Sequence, residues 1–302
     1  MTVLVFGGSG FIGSKVVECL TKNNVETLSY DIIASNFTRQ KAKWIRADIL
    51  ELSSIERLFY EYEVDTVVHL VGLPAINYCE KNPQFSFMLN VVSVQNALEA
   101  MRIADIERII FASSASVYGS HHIKPIKETD EVRPNTVYGH HKLMAEQVIK
   151  SYNESYGIKY VIFRLFNVYG GNPQFGKDVI SIFIRRALMG EPLIVKGPRK
   201  FRDFVHVNDV TQSFLSVIEN SRINDVTINI GSGERTSLRE LAEMVKFHFP
   251  NVEVIEESAP DDGTGLQADI SLARSLLSFE PRNPKEGINA HIVTYARKRD
   301  DK

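Results

Sequence analysis

A short glycine-rich loop near the N-terminus places the strongest constraint on the fold of this chain. Glycine occupies positions 7, 10 and 13 of the run Gly-Gly-Ser-Gly-Phe-Ile-Gly. The loop follows an apolar, β-branched run at residues 2–6 and precedes apolar residues at helical spacing over 16–20. A backbone that turns sharply from a strand into a helix needs residues without Cβ. The order of these segments therefore predicts the first strand, loop and helix of an α/β fold.

Short apolar runs and longer helical patterns go on alternating through the first half of the chain. This alternation is typical of repeated βαβ units. The patterns predict strands at 2–6, 27–31, 44–47, 66–71, 108–112 and 159–164, and helices at 14–20, 53–61, 87–102 and 138–156. We therefore predict an α/β fold with a Rossmann-type, doubly wound parallel sheet.

After Tyr169 the composition shifts toward Gly, Pro and Asn, and the regular alternation ends. We predict a first domain at residues 1–168, with segments that return to it near 203–230, and a smaller α/β region at 169–302. Within that region a helix is expected at 179–189, with strands near 193–195 and 227–230. Ser237 and Glu240 have the spacing of a helix capping box.

The glycine loop also has the features of a dinucleotide site. Bare backbone can approach a pyrophosphate closely, and a helix N-terminus points free N–H groups at the anion. The second strand ends in Asp31, where an acid can accept hydrogen bonds from a ribose diol. The alternative is a plain glycine turn with a surface Asp. Cofactor contacts are expected from Gly7, Gly10, Phe11, Ile12 and Gly13 of the loop.

The residues that follow Asp31 favour NAD over NADP. They are Ile32 and Ile33 rather than an arginine that could neutralise a 2′-phosphate. Asp48 and Ile49 are further candidates for contact with the adenine, although Asp48 could equally be a turn aspartate.

A Tyr and a Lys four residues apart form the candidate catalytic pair. Tyr138 and Lys142 lie one turn apart on one face of a predicted helix. The strand before that helix runs into the serines of 113–116, and the carboxyl ends of parallel strands face the ligand crevice. Tyrosine is a poor base at neutral pH, so the positive charges of Lys142 and a nicotinamide ring would have to lower its pKa.

Together these motifs make the chain resemble the extended short-chain dehydrogenases/reductases. It is most similar to the branch of NAD-dependent nucleotide-sugar epimerases and dehydratases, of the UDP-galactose 4-epimerase type. The resemblance extends over most of the chain and is carried by the glycine loop, Asp31, the Asn90 region, residues 113–119, Tyr138 with Lys142, residues 164–170 and residues 202–207.

The resemblance implies a role for each site residue. Ser114, Tyr138 and Lys142 would be catalytic, and Tyr138 and Lys142 would also contact the cofactor. Ser114, Ser116, Asn167 and Arg202 would bind the substrate. Dehydratases of the family carry an Asp-Glu pair directly after the active serine or threonine.

Here Ala115 and Ser116 occupy those two positions, which disfavours dehydration. One departure concerns phosphate binding, because Asp261 and Asp262 lie where relatives often have a second arginine. Arg199 and Lys200 are possible substitutes.

The remaining composition bounds the partners and the compartment. There are 35 basic and 37 acidic residues, so the sequence gives no reason to expect nucleic-acid or membrane binding. The only cysteines, Cys19 and Cys79, match no metal spacing, and the paired histidines at 121–122 and 140–141 have no accompanying ligand cluster. We expect no metal, no signal peptide, a cytoplasmic location and, from the resemblance, a homodimer.

The predicted function is an NAD-dependent nucleotide-sugar epimerase. It would invert C4 through a transient 4-keto sugar, with Tyr138 as the base and a nucleotide-diphosphate sugar as substrate. Two alternatives stay open: an NAD(P)H-dependent reductase of 4-keto nucleotide sugars, and a nucleotide-binding protein without turnover.

Overall fold

Seven strands form one sheet in the part of the chain that the structure describes. The structure is a computed structural model and describes residues 1–34, 42–119, 124–171, 176 and 178–300 of 302, with side chains to residue 296. The seven strands, numbered by their place in the chain, are β1 (Thr2–Phe6), β2 (Glu26–Asp31), β3 (Lys43–Arg46), β4 (Thr66–His69), β5 (Arg108–Ser114), β6 (Lys159–Leu165) and β11 (Val226–Ile230).

The strand order is β11-β6-β5-β4-β1-β2-β3, and the pairs from β3 through β6 are parallel. The order reverses between β1 and β4, which is the switch point where α/β sheets bind ligands. The glycine loop lies at this point. A Cβ placed on Gly7 would be 3.0 Å from the carbonyl carbon of Leu70, directly after β4.

The helices that accompany this sheet include two irregular turns. They are α1 (Phe11–Lys22), α2 (Leu52–Glu61), α3 (Ile76–Lys81), α4 (Pro83–Phe87), a π-helical turn (Met88–Val92), α5 (Ser93–Ile103), a 3-10 turn (Ala115–Tyr118), α6 (Val137–Tyr156) and α8 (Val207–Glu219). The single helix predicted at 87–102 is therefore interrupted by the π-helical turn.

The described residues divide into two units. The first contains residues 1–119, 131–165 and 211–228 and is built around the sheet. Its core packs apolar side chains of the buried strands against α5 and α6, among them Leu4, Phe6, Phe111, Leu98 and Ile149. Leu4, Phe6 and Phe111 lie in apolar runs that predicted strands, and Leu98 and Ile149 lie in predicted helices.

The second unit contains residues 120–130, 166–210 and 229–302, so far as these are described, and has short paired strands. The pairs are β7 (Asn167–Tyr169) with β10 (Phe204–His206), β8 (Leu193–Lys196) with β13 (Val254–Glu257), and β9 (Phe201–Arg202) with β12 (Thr236–Ser237). Its helices are α7 (Val179–Met189), α9 (Leu238–His248), α10 (Ser271–Leu277) and α11 (Pro284–Asp300). The predicted capping box is confirmed, because Ser237 and Glu240 cap the start of α9 reciprocally.

Candidate active site

The glycine loop turns directly from β1 into α1. Gly7 has φ +79°, a left-handed conformation that favours glycine, and its carbonyl accepts a hydrogen bond from Gly10 N at 3.0 Å. A Cβ on Gly13 would lie 2.0 Å from Gly7 O. The close approach of α1 to the loop therefore requires glycine at position 13.

The start of α1 is suited to an anion. Its N-cap, Gly10, provides no side-chain hydrogen bond, and the first turn, which includes Phe11 and Ile12, contains no acidic residue. The first N–H groups of a helix have no partner within the helix, and they carry positive partial charge. The buried Ser9 Oγ also has no hydrogen-bond partner within the described part of the chain. These donors fit the pyrophosphate of a dinucleotide.

Asp31 lies at the end of β2, next to the loop. Its carboxylate accepts hydrogen bonds from Ser9 N at 3.0 Å and from Ile33 N at 3.1 Å. Its neighbours Ile32 and Ile33 are exposed. The geometry leaves Asp31 half-exposed at the edge of the glycine loop, where the ribose contact was predicted.

Asp48 and Ile49 have local contacts of their own. Asp48 Oδ1 accepts from Leu50 N at 2.9 Å, as a turn aspartate does. The Ile49 side chain is buried in the core, and its carbonyl accepts from Asn96 Nδ2 at 3.1 Å. Contact of either residue with a cofactor stays a prediction.

Ser114, Tyr138 and Lys142 belong to adjoining elements of the first unit. Ser114 ends β5, and Tyr138 and Lys142 lie in the first turns of α6. The Ser114 side chain lowers the pKa of the Tyr138 hydroxyl, and Ser114 Oγ donates to Ser116 Oγ at 3.1 Å. Lys142 Nζ donates to Ala112 O at 2.8 Å and lies 4.5 Å from the centre of the Phe111 ring.

Burial dominates the electrostatics of this trio. It raises the pKa of Tyr138 to about 12, against a smaller lowering by the hydrogen bond from Ser114. Burial also lowers the pKa of Lys142 to about 8, partly offset by Glu146. Without a bound cofactor, Lys142 does not bring the pKa of Tyr138 below its ordinary value. Ionisation of Tyr138 at neutral pH needs a further positive charge beside it.

Two buried residues near the trio were not predicted as functional. Asn90, in the π-helical turn, accepts from Leu73 N at 3.0 Å and donates to Ser86 Oγ at 3.2 Å. Glu146 is fully buried on α6 and pairs with Arg164 at 2.7 Å. A signal for Glu146 was present, because positions 138, 142 and 146 share one helical face.

Asn167 and Arg202 belong to the second unit. Asn167 begins β7 and donates from Nδ2 to Asp203 O at 3.3 Å. Arg202 lies in β9, where Nη1 donates to Phe201 O at 2.8 Å, and burial lowers the pKa of its guanidinium while Asp261 raises it. The buried carboxylate of Asp203, the residue after Arg202, accepts hydrogen bonds from the backbone N–H groups of Ser232, Gly233 and Ala268. The sequence did not predict a role for it.

The two acids expected near the diphosphate are engaged in ion pairs. Asp261 pairs with Lys200 at 2.5 Å, and Asp262 pairs with Arg199 at 2.9 Å. Their charges are therefore largely balanced by the two cations that were considered as substitutes for the second arginine.

The histidine pairs show no arrangement for a metal where they are described. His121 and His122 lie outside the described residues. His141 Nδ1 hydrogen-bonds Ser86 Oγ at 2.8 Å. No group of three His, Cys, Asp or Glu side chains in the described ranges is placed to hold a metal ion. Within the same ranges, no helix has the length and apolar content needed to cross a bilayer.

Comparison with known proteins assigns this combination of fold and site to a family. The model of the NAD dependent epimerase/dehydratase family matches residues 3–231. The chain belongs to this family. The family assignment confirms the predicted family and enzyme class, and the sheet order agrees with the predicted Rossmann-type fold.

Relatives and solved structures cover nearly the whole chain. It is 35% identical to a putative UDP-glucose 4-epimerase of Methanocaldococcus jannaschii, over 95% of each chain. It is also 35% identical to UDP-glucuronic acid decarboxylase 6 of Arabidopsis thaliana, over 93% of this chain and 84% of the relative.

Two crystal structures extend the comparison to the fold. The structure of Thermotoga maritima UDP-glucose 4-epimerase with UDP-glucose is similar, with a TM-score of 0.91, 28% identity and 99% of each chain covered. That of the Thermus thermophilus UDP-glucose 4-epimerase complex with NAD gives a TM-score of 0.88 at 28% identity, covering 98% of this chain and 99% of the other.

Proposed function

We propose that this member of the family is an NAD-dependent UDP-sugar epimerase that inverts C4. The observation that carries the proposal is that the Ser114 side chain acts on the Tyr138 hydroxyl, with Lys142 one helical turn away on α6, in the unit that contains the glycine loop. The UDP-glucose 4-epimerases among its relatives and structural neighbours support the same reaction.

The chain's own residues would move one proton in each direction. Tyr138 would take the proton of the sugar 4-hydroxyl, Ser114 would hydrogen-bond the oxygen whose charge changes, and Lys142 would hold positive charge beside the phenol. NAD, held by the amides at the start of α1 and by Asp31, would supply the hydride acceptor and donor for that carbon. Tyr138 would then return the proton to the 4-keto oxygen of the rotated sugar.

We propose that the first unit binds NAD and the second binds the nucleotide sugar. In the first, the donors are the backbone amides at the start of α1, with Asp31 for the ribose. In the second, Asn167 and Arg202 would contact the diphosphate, since the planar fork of an arginine suits phosphate oxygens. Support comes from the open donors at the start of α1.

The decarboxylase relatives define a second outcome to be tested. Oxidation at C4 of a UDP-uronic acid would give a β-keto acid, which can lose CO2. Ala115 and Ser116 place no acid or base directly after Ser114, so further proton transfers have no nearby carboxylate in that turn. Epimerisation, which needs none, is the better fit.

A homodimer in the cytoplasm is proposed for the assembled enzyme. Helices α3, α4 and α6 carry a set of exposed large apolar side chains, here called the apolar patch: Ile76, Tyr78, Phe85, Phe87 and Met144. Exposed large apolar side chains on neighbouring helices favour association. The two cysteines are buried free thiols, as is common in a reducing compartment.

The proposal predicts conversion without added cofactor. Purified enzyme incubated with UDP-glucose, UDP-galactose or UDP-glucuronic acid should interconvert C4 epimers, resolved by ion-pair chromatography and proton NMR. Denaturation should release about one NAD per chain. Tyr138→Phe should retain the NAD and lose roughly 100-fold or more in kcat.

Three results would point to another activity. Stoichiometric consumption of added NADPH with a keto sugar would indicate a reductase, and release of CO2 from UDP-glucuronic acid would indicate a decarboxylase. Equal behaviour of Tyr138→Phe and wild type across the panel would favour a protein without turnover.

A further inference from the structure

Glu146 is a buried carboxylate on the helix that carries Tyr138 and Lys142. The three residues are spaced four apart on α6 and therefore share one face. The Glu146 side chain has 0% exposure, and the facing Arg164 side chain has 5%. The proposed chemistry does not use this pair directly.

The carboxylate binds donors from two neighbouring strands of the first unit. Its Oε1 accepts from Ser113 Oγ at 2.5 Å and from Arg164 Nε at 3.0 Å, and its Oε2 accepts from Arg164 Nη2 at 2.7 Å. Arg164 also donates from Nη1 to Tyr118 OH at 2.9 Å. The network thus joins α6 to β5, to β6 and to the 3-10 turn.

These links enclose the segment that carries Ser114. Ser113 precedes it and is bound to Glu146, while Tyr118 ends the 3-10 turn and is bound to Arg164. Ala112, two residues before Ser114, accepts from Lys142 Nζ. Both ends of the segment are therefore attached to groups that α6 fixes in place.

A buried ion pair of this kind is not explained by the stability that it adds. Removing two charges from water costs about as much as their attraction returns, and apolar replacements are often as stable. Fixed geometry is the better-supported benefit of such a pair. Here the geometry that it fixes is that of Ser114 relative to Tyr138.

We propose that Glu146, held by Arg164, is a positioning residue that fixes the place of Ser114 relative to Tyr138 and places a negative charge behind Lys142. The inference rests on the proposed epimerase function for its kinetic consequences. The structural part concerns only the first unit.

The charge effect follows from the groups that face Lys142. On α6 this is Glu146, with Tyr138 one turn before Lys142, and on β4 it is His69, which burial keeps neutral by lowering its pKa to about 3. From β5 come the Ala112 carbonyl and the Phe111 ring. The uncharged Asn90 amide lies close as well, since a Cβ on Gly72 would be 2.9 Å from its Oδ1 and 3.3 Å from Lys142 Nζ.

Glu146 is the acidic residue of this set, and its charge raises the pKa of Lys142 against the effect of burial. Replacing it with a neutral side chain should therefore let the pKa of Lys142 fall further.

The test is the pH dependence of Glu146→Gln. Its kcat should fall about 100-fold with KM within about threefold, because a misplaced Ser114 affects the transition state more than binding. The alkaline limb of its kcat profile should move to lower pH by about one unit, because loss of the negative charge favours neutral Lys142. An unchanged profile with unchanged kcat would overturn the proposal.

Two Ser113 variants test the same role if Glu146→Gln does not fold. Ser113→Ala removes one link and leaves the ion pair intact, so kcat should fall about fivefold or more, while Ser113→Thr, which keeps a hydroxyl, should restore it. Equal kcat values for Ser113→Ala and wild type would refute the positioning role.

The matched control is Arg108→Met, at the opposite end of β5. Arg108 is also buried and bonds the carbonyls of Val217, Asn220 and Ile223 near the end of α8. This variant should lose stability yet keep the kcat and pH profile of wild type. A profile shifted as in Glu146→Gln would show a general effect of destabilisation and count against the proposal.

An NMR titration separates this inference from the proposed function. With ¹³Cε-labelled lysine, the Lys142 signal is assigned by its loss in Lys142→Met, and its midpoint should fall by about one pH unit in Glu146→Gln. This result is expected even if the enzyme epimerises none of the UDP sugars. An unmoved midpoint would overturn the charge effect whatever the activity.

Discussion

Lys142 illustrates, at the scale of one residue, how burial and function oppose each other. Its ammonium is almost fully buried, and burial lowers its pKa from 10.5 to about 8. The folded state thus disfavours the charged form that the proposed chemistry needs. A residue that costs stability in this way is typical of a functional site.

Lys142→Met should stabilise the protein while abolishing turnover. The unfavourable burial of the charge is present in full below pH 8, shrinks as the pH rises toward 10.5, and is absent above it. The variant should therefore gain up to about 3 kcal/mol at pH 7 and much less at pH 9.5, measured by urea unfolding. Equal gains at both pH values would contradict the assignment of the effect to charge.

The sequence alone predicted those site residues whose chemistry depends on local pattern. Gly7 and Gly13 follow from a strand-to-helix turn, and Tyr138 with Lys142 follows from helical spacing. Glu146 was missed because a glutamate on a helix is usually solvated. Its role depends on Arg164 and Ser113, which come from separate strands, and single-sequence patterns do not show which strands pack against which helix.

At the scale of the element, α6 depends on the way it begins. Thr136 Oγ1 accepts from Gly139 N at 3.0 Å and so caps the helix two residues before Tyr138. A cap fixes the first turn, where N–H groups lack helical partners. The position of the Tyr138 hydroxyl is therefore linked to a single hydrogen bond.

Thr136→Ala should lower the free energy of unfolding by about 1 kcal/mol and reduce kcat several-fold. The first effect is the lost cap, and the second is fraying of the turn that holds Tyr138. Asp178→Ala is the matched control, because Asp178 caps α7 in the second unit through Ser181 N at 3.0 Å. It should cost similar stability and leave kcat unchanged; equal losses of kcat in both variants would argue against a local effect.

The π-helical turn at Met88–Val92 marks a limit of periodicity. The apolar spacing over 87–102 predicts one continuous helix, and the added residue of a π turn shifts that spacing only locally. The turn carries Asn90, whose side-chain amide forms hydrogen bonds with the backbone N–H and C=O of Leu73, which follows β4. That long-range contact, which the spacing does not encode, accompanies the interruption.

At the scale of the whole molecule, the sequence predicted the parallel sheet and, in the second unit, α7, β8 and the capping box of α9, but not the shortest strands. Short apolar runs that alternate with helical patterns identify the strands of the sheet. By contrast, β9 and β12 have two residues each, too few to show any period. Asp203, directly after β9, accepts hydrogen bonds from the backbone amides of Ser232 and Gly233, which lie 29 and 30 residues further along the chain and shortly before β12. Local patterns do not show a contact over that distance.

The apolar patch is the feature to test in the proposed assembly. The formal net charge is -2, so neither strong attraction nor strong repulsion between copies is expected. Within the patch, the rings of Tyr78 and Phe85 lie 6.5 Å apart, on α3 and α4. Aromatic side chains of this kind dominate the energy of interfaces.

Phe85→Asp should convert the proposed dimer into a monomer. A buried aromatic ring replaced by a charge weakens an interface by about 2 kcal/mol or more, roughly 30-fold in Kd. Light scattering after size exclusion should give twice 34.1 kDa for wild type and 34.1 kDa for the variant. Tyr60→Asp is the control, because Tyr60 is an aromatic residue with 92% exposure on α2, outside the patch. This variant should leave the mass unchanged.

A wild type that elutes as a monomer, or a Phe85→Asp variant that stays dimeric, would exclude the patch as the interface. If the dimer is lost while Phe85→Asp keeps its NAD and its kcat, the residues of one chain suffice for the proposed reaction.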